Sequence, residues 1–270
     1  MFPPRTTAPV LLALLGACRT TTGVIVTSSA DDSHVPATER AAYDDDASRL
    51  ALRAALATGV AAESTTVEIR RDVAGSLYRA LIRVYNATDL AARDSVVDIY
   101  RVHTLGNPPL RKIGVGVSRG AAWGDAWRRG DRLTGDSEID ALMETWQLEL
   151  LWFLEMSSLD YDLAVLESAH PLNTLALAAL FRTVDGVANA DPNWMGGDGN
   201  DIRASRDSAS WRLEYGVGFG DCPAGCTGRA VWAFRVFDDD GVRYEGSTGR
   251  PPPPRLGISP GRPPARLPPG

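Results

Sequence analysis

The feature that most limits how this chain can fold is a pair of alternating apolar runs joined by a cysteine-closed loop near its C-terminal end. In residues 210–249, Trp211, Leu213 and Tyr215 alternate with polar residues, and Trp232, Phe234 and Val236 repeat the pattern. Period-two alternation sends one face of a strand to a core and the other to solvent. Asp240-Gly241 then marks a tight turn into a third run, Val242 to Glu245. The expected product is a three-stranded antiparallel meander whose first loop, Gly218 to Gly228, contains Cys222-Pro-Ala-Gly-Cys226. Pro223 presets a turn and Gly225 tolerates the dihedrals that bring the two cysteines together. Closing so short a ring contributes only about 2 kcal/mol by chain entropy, so a bridge here shapes the loop tip more than it holds the fold. Two other chemistries compete for the pair. A redox couple is expected as CxxC at a helix N-terminus, whereas this is CxxxC in a hairpin. A metal site would need further ligands such as Asp221, His103 or His170, and no second closely spaced pair exists.

The remaining body reads as α+β. Val67/Ile69, Ala80/Ile82/Val84, Val96 to Val102 and Ile113 to Val117 look like strands, with Asn107-Pro108-Pro109 as a break. Residues 137–156 place Ile139, Leu142, Met143, Trp146, Leu150 and Phe153 at helical spacing, with Asp136 or Ser137 as N-cap. Their second half is apolar nearly all round, which predicts one long buried helix with Trp146 and Trp152 in the core. Tyr161 to Ser168, Asn173 to Thr183 and Val187 to Ala190 form a βαβ-like unit.

Residues 1–18, MFPPRTTAPVLLALLGAC, carry one cation at Arg5 and a short apolar stretch, Val10 to Leu15. Leu15-Gly16-Ala17 then precedes Cys18. This resembles a bacterial lipoprotein signal, which implies an acylated Cys18 as the new N-terminus. The alternative is an ordinary secretory signal with a coincidental cysteine. The chain has 3 cysteines. Acylating Cys18 leaves Cys222 and Cys226 as a pair in a compartment that permits disulfides. The expected organisation is a signal over 1–17, a flexible tether over 18–62 with a short helix at 47–62, a single globular domain over 63–249, and an extended Pro/Arg-rich tail over 250–270. His34 lies in the tether, where no chemistry is expected of it. The tail could reach peptidoglycan or a partner, or have no role.

The 210–249 segment also resembles a terminal module of secreted bacterial proteins, often lipoproteins, of unknown function. The matching residues are Tyr215, Gly216, Gly218, Gly220, Asp221, Cys222, Pro223, Gly225, Cys226, Trp232, Phe234, Gly241 and Gly246, with Phe219 where Trp is expected and Val231 where an aromatic is expected. The resemblance implies export and a shared β-hairpin, and it brings no activity.

Three weaker patterns carry chemistry. Gly116-Val-Ser118-Arg-Gly120 matches the GxSxG nucleophile elbow, with His170 the sole candidate base after it. Gly196-Gly-Asp198-Gly-Asn-Asp201 matches the start of a calcium-binding nonapeptide, so Asp198 and Asp201, with Asp191, are candidate ligands for a single Ca²⁺. Val187 to Asn193 resembles the last strand of subtilisin-type propeptide and inhibitor domains, which would imply an extended end entering a protease cleft. The net charge is −6 and 27 of the 28 cations are Arg, Lys112 being the exception. An Arg bias spread over the whole chain reflects a GC-rich genome. The acidic balance argues against a general nucleic-acid binder, whose affinity rests on cations over phosphates.

The leading expectation is therefore an exported protein, lipid-anchored to a bacterial membrane at the outer membrane or cell surface. It would act without catalysis or a resident cofactor, as a binding or envelope-structural module. Its contact loop would centre on Phe219, Asp221 and Pro223, facing an envelope or extracellular protein. A protease-inhibitor module and a Ser118 hydrolase are the alternatives.

Overall fold

A computed structural model describes residues 24–58, 66–194 and 196–253. The expected signal, Cys18 and the tail beyond 253 lie outside the described residues. The fold is α+β with two antiparallel sheets. In chain order come β1 (Ile25–Thr27), α1 (Ala37–Ala57), α2 (Arg71–Asn86), α3 (Ala91–Asp94) running into a π-turn (Ser95–Ile99), β2 (Lys112–Ser118), α4 (Gly124–Arg129), α5 (Ser137–Thr145) and β3 (Leu148–Leu154). Then follow β4 (Tyr161–Ser168), α6 (Thr174–Phe181), β5 (Val187–Pro192), β6 (Asp201–Arg206), β7 (Ser210–Phe219), β8 (Gly228–Phe237) and β9 (Gly241–Gly249).

The larger sheet has the order β1-β9-β8-β7-β6. Its centre is the expected meander, with Trp211 opposite Val236, Leu213 opposite Phe234 and Tyr215 opposite Trp232. These residues share one apolar cluster with Tyr43 and Leu50 of α1 and Leu77, Leu81 and Val84 of α2. On its other face the alternate positions hold charge: Arg212, Arg235 and Arg243 all reach Glu245. The smaller sheet has the order β3-β4-β2-β5. Both β4 and β5 run antiparallel to β2, which lies between them. They are therefore parallel to each other, and the 161–192 unit is a split βαβ. Ile113, Val115 and Leu166 of this sheet cluster with Trp127, Ile139, Met143, Leu177 and Phe181 from α4, α5 and α6.

Five expectations change. The segment expected as a tether supplies structure instead, since β1 pairs with β9 and α1 buries Tyr43, Ala47, Leu50 and Ala51 in the larger core. Burial of large side chains stabilises by about 1.5–3 kcal/mol each, so α1 contributes on the scale of a whole domain's net stability. The Ala80/Ile82/Val84 alternation belongs to a helix, because Leu77, Ala80, Leu81 and Val84 also fall at i, i+3, i+4 and i+7 and that face is the buried one. Val96 and Val97 lie in the π-turn rather than a strand. Val67 and Ile69 lie in irregular backbone before α2 rather than a strand, although Val67 still packs into the smaller core. The long helix at 137–156 ends at Thr145, where Gln147 turns the chain at φ +50° and 148–154 become an edge strand. Asp136 caps α5 as expected, accepting from the Glu138 and Ile139 amides at 3.0 and 3.1 Å. The all-round apolarity of 148–154 arises because Leu148, Leu150 and Phe153 pack inward while Leu151, Trp152 and Leu154 face solvent. Trp152, at 45% exposure, is therefore not core, whereas half-buried Trp146 packs against the smaller core.

The two halves meet along 102–111, a segment gripped by the polar face of α1. Asp46, only 2% exposed, accepts from the Thr104 amide at 2.8 Å and the Thr104 hydroxyl at 2.6 Å, and meets His103 Nδ1 at 2.7 Å. Arg49 donates to the Thr104 hydroxyl and to the Pro108 carbonyl at 2.7 and 3.1 Å. Arg53 donates to the carbonyls of Leu105 and Asn107 and to Asp201 in β6. The Asn107–Pro108 bond within the gripped segment is cis. Arg111 closes the seam, with Asp45 on one side at 2.5 Å and the Ala169 carbonyl on the other at 2.7 Å.

Asp46→Ala strands three donors and is expected to cost about 3 kcal/mol in urea unfolding. His103 adds a pH signature: its hydrogen bond with Asp46 raises its pKa above 6.5 against the opposing pull of burial, with Glu39 adding to the rise. A raised folded pKa means that this stabilisation is complete below pH ~6.5 and is lost as pH climbs through the folded value. His103→Gln should flatten the stability profile above pH 6.5.

Candidate functional site

The loop between β7 and β8 stands at one end of the meander. Cys222 and Cys226 lie at disulfide distance and are bridged, with Cα atoms 3.9 Å apart. The loop is braced by the Gly196–Asn200 turn before β6. The Asp198 amide donates to the Cys222 carbonyl at 2.9 Å, and Asp198 Oδ2 accepts from the Cys226 amide at 3.3 Å. Arg229, the second residue of β8, ties both parts together by donating to Asp198 at 2.5 Å and to the Gly199 carbonyl at 2.9 Å. The Arg229 guanidinium, then the Gly199 amide, hold the Asp198 carboxyl below its usual pKa. Gly218 is required at this junction because a Cβ there would sit 2.4 Å from Cys226 Sγ and 2.7 Å from the Gly199 oxygen.

The candidate contact residues fare differently. Asp221 and Pro223 are exposed. Phe219 is half-buried, its ring laid across Gly228 on the partner strand so closely that a Cβ there would meet it at 2.2 Å. It therefore supports the tip from below rather than presenting itself to a partner.

The three candidate calcium ligands do not converge on an ion. Asp198 holds Arg229, Asp201 binds Arg53 at 2.9 Å and the Leu105 amide at 2.8 Å, and Asp191 lies in the other sheet facing Arg182 at 3.6 Å. No group of three His, Cys, Asp or Glu side chains suited to a metal occurs among the described residues. The nonapeptide-like GGDGND is used here as a turn that grips the disulfide loop.

Ser118 and His170 are also separated. Ser118 ends β2 opposite Tyr161, whereas His170 follows Ser168 at the far end of β4. The length of β4, roughly 20 Å at about 3.3 Å per residue, lies between them. The backbone at Ser118 lacks the positive φ of a nucleophile elbow, and its amide donates to the Gly186 carbonyl. This arrangement cannot transfer a proton from Ser118 to His170. The propeptide-like strand pairs antiparallel with β2, with an irregularity between Gly116 and Val117, but it does not release an extended end. The Asn193 amide donates to the Lys112 carbonyl, and the chain continues into β6 of the other sheet.

No helix among the described residues is long and apolar enough to cross a membrane. No family model, no curated protein and no solved structure matches the chain.

Sequence reasoning recognised the cysteine loop but missed its brace. The signal was present in the GGDGN run and in the arginine directly after Gly228. Cys222→Ser is expected to lower unfolding free energy by no more than about 2 kcal/mol, with an unchanged far-UV spectrum. Asp198→Ala should instead speed amide exchange at Gly199 and Cys226 while the β7–β8 ladder stays protected.

Proposed function

We propose that this chain is an exported binding module without catalysis, anchored to a bacterial membrane through acylated Cys18. Its bridged β7–β8 tip would face an envelope or extracellular protein. The observation that carries this reading is the construction of the tip. A disulfide, two hydrogen bonds between its backbone and Asp198, and the Arg229 brace fix it while Asp221 and Pro223 remain exposed. A surface ordered in advance loses little freedom on binding, which is the physical advantage of such a loop. The disulfide also fits an oxidising compartment, in agreement with the lipoprotein-like start of the chain.

Intact mass of the protein made in a lipoprotein-competent bacterium tests the anchor. The expected species is 18–270 plus acyl chains, with Cys222 and Cys226 alkylated only after reduction. A full-length unacylated mass with free thiols would refute the anchor and the compartment together. A photo-crosslinking residue at position 223 should give a discrete adduct at the cell envelope, and the same residue at exposed position 89 should not.

A further inference from the structure

A cleft of about 470 Å³ opens between α1, the start of α2, the end of α5 and the β4–α6 connection. This volume lies within the ~300–1,000 Å³ range of small-molecule sites. Its apolar lining comes from Ile69, Leu172 and the Trp146 indole, and charged side chains of both signs line it as well: Asp44, Glu68, Arg71 and His170. In a chain whose arginines are so often paired with carboxylates, these four side chains make no hydrogen bond or ion pair with the described residues. Exposed polar groups of both signs rimming an apolar lining, unpaired among the described residues, are an arrangement that suits a ligand site.

We infer that this cleft binds a short peptide with free termini and an apolar side chain. The charge pattern selects a zwitterion. Asp44 and Glu68 accept from an ammonium, which the Trp146 ring also attracts. Arg71 offers a planar fork to a carboxylate, with the His170 imidazole as a second donor. The side chain between the two termini rests on Ile69 and Leu172. His170, separated from Ser118, thus has a role at the opposite end of β4. The inference stands apart from membrane attachment and from the loop tip, and it survives if either fails.

Calorimetric titration of the full chain with alanyl-leucine is the test, alongside N-acetyl-alanyl-leucine and alanyl-leucinamide. Alanyl-leucine should bind saturably and quench fluorescence that Trp146→Phe removes. Each capped peptide should bind at least about tenfold more weakly, close to 1.4 kcal/mol. Arg71→Ala alters an exposed side chain that has no hydrogen-bond or ion-pair partner among the described residues, so the fold should persist. In that variant alanyl-leucine and alanyl-leucinamide should bind alike, because the group that distinguishes them is gone. Absence of binding by alanyl-leucine at millimolar concentration, or equal binding of all three peptides to the unaltered chain, would overturn the inference.

Discussion

A buried carboxylate holds this molecule together. Asp46 sits in the middle of α1 and is almost wholly buried, and the backbone and hydroxyl of Thr104 together with His103 satisfy it. Burying a charge is unfavourable unless its hydrogen bonds are complete, so the helix and the 102–111 segment must dock together or not at all. Arg49, Arg53 and Arg111 extend the same seam to three carbonyls, to β6 and to the end of β4. Tyr43, Ala47 and Leu50 on the other side of α1 fill the larger core. One helix therefore closes the first core with its apolar face and positions the entry to the second with its polar face.

That seam explains where functional surface can exist. The larger sheet uses its outer face for an arginine–glutamate lattice and exposes its bridged loop at one end. The cleft lined by Trp146 and His170 opens where α1 and α2 lie beside the smaller sheet's connections, so its width depends on the same docking. Loop tip and cleft draw on different residues, and a change at one leaves the other's contacts in place.

Much of this was legible in the chain wherever short-range chemistry dominates. The meander follows from alternation at Trp211 to Tyr215 and Trp232 to Val236, the α5 start from Asp136, and the split βαβ from its break at His170-Pro171. The rest depends on partners distant in sequence. Asp44-Asp45-Asp46 reads as a solvated run, yet Asp46 is buried because Thr104 is its partner and Asp45 meets Arg111. Ala80, Ile82 and Val84 fit a strand alternation while Leu77, Ala80, Leu81 and Val84 fit a helix face, and only packing on the larger sheet decides between the two periods. The apolar 148–154 run reads as helix because its solvent face is as hydrophobic as its core face. At the candidate sites, GxSxG and the calcium-like turn are local patterns, and register and arginine pairing give their residues other work.

The most direct test of this account is to express residues 63–249 alone and record urea unfolding by tryptophan fluorescence and near-UV circular dichroism. If β1 and α1 are part of the core, this chain loses Tyr43, Leu50 and the Asp46 seam, and it should show no cooperative transition and no fixed aromatic signal. A sharp transition with native aromatic dichroism would contradict the account and return residues 24–58 to the role of a dispensable tether.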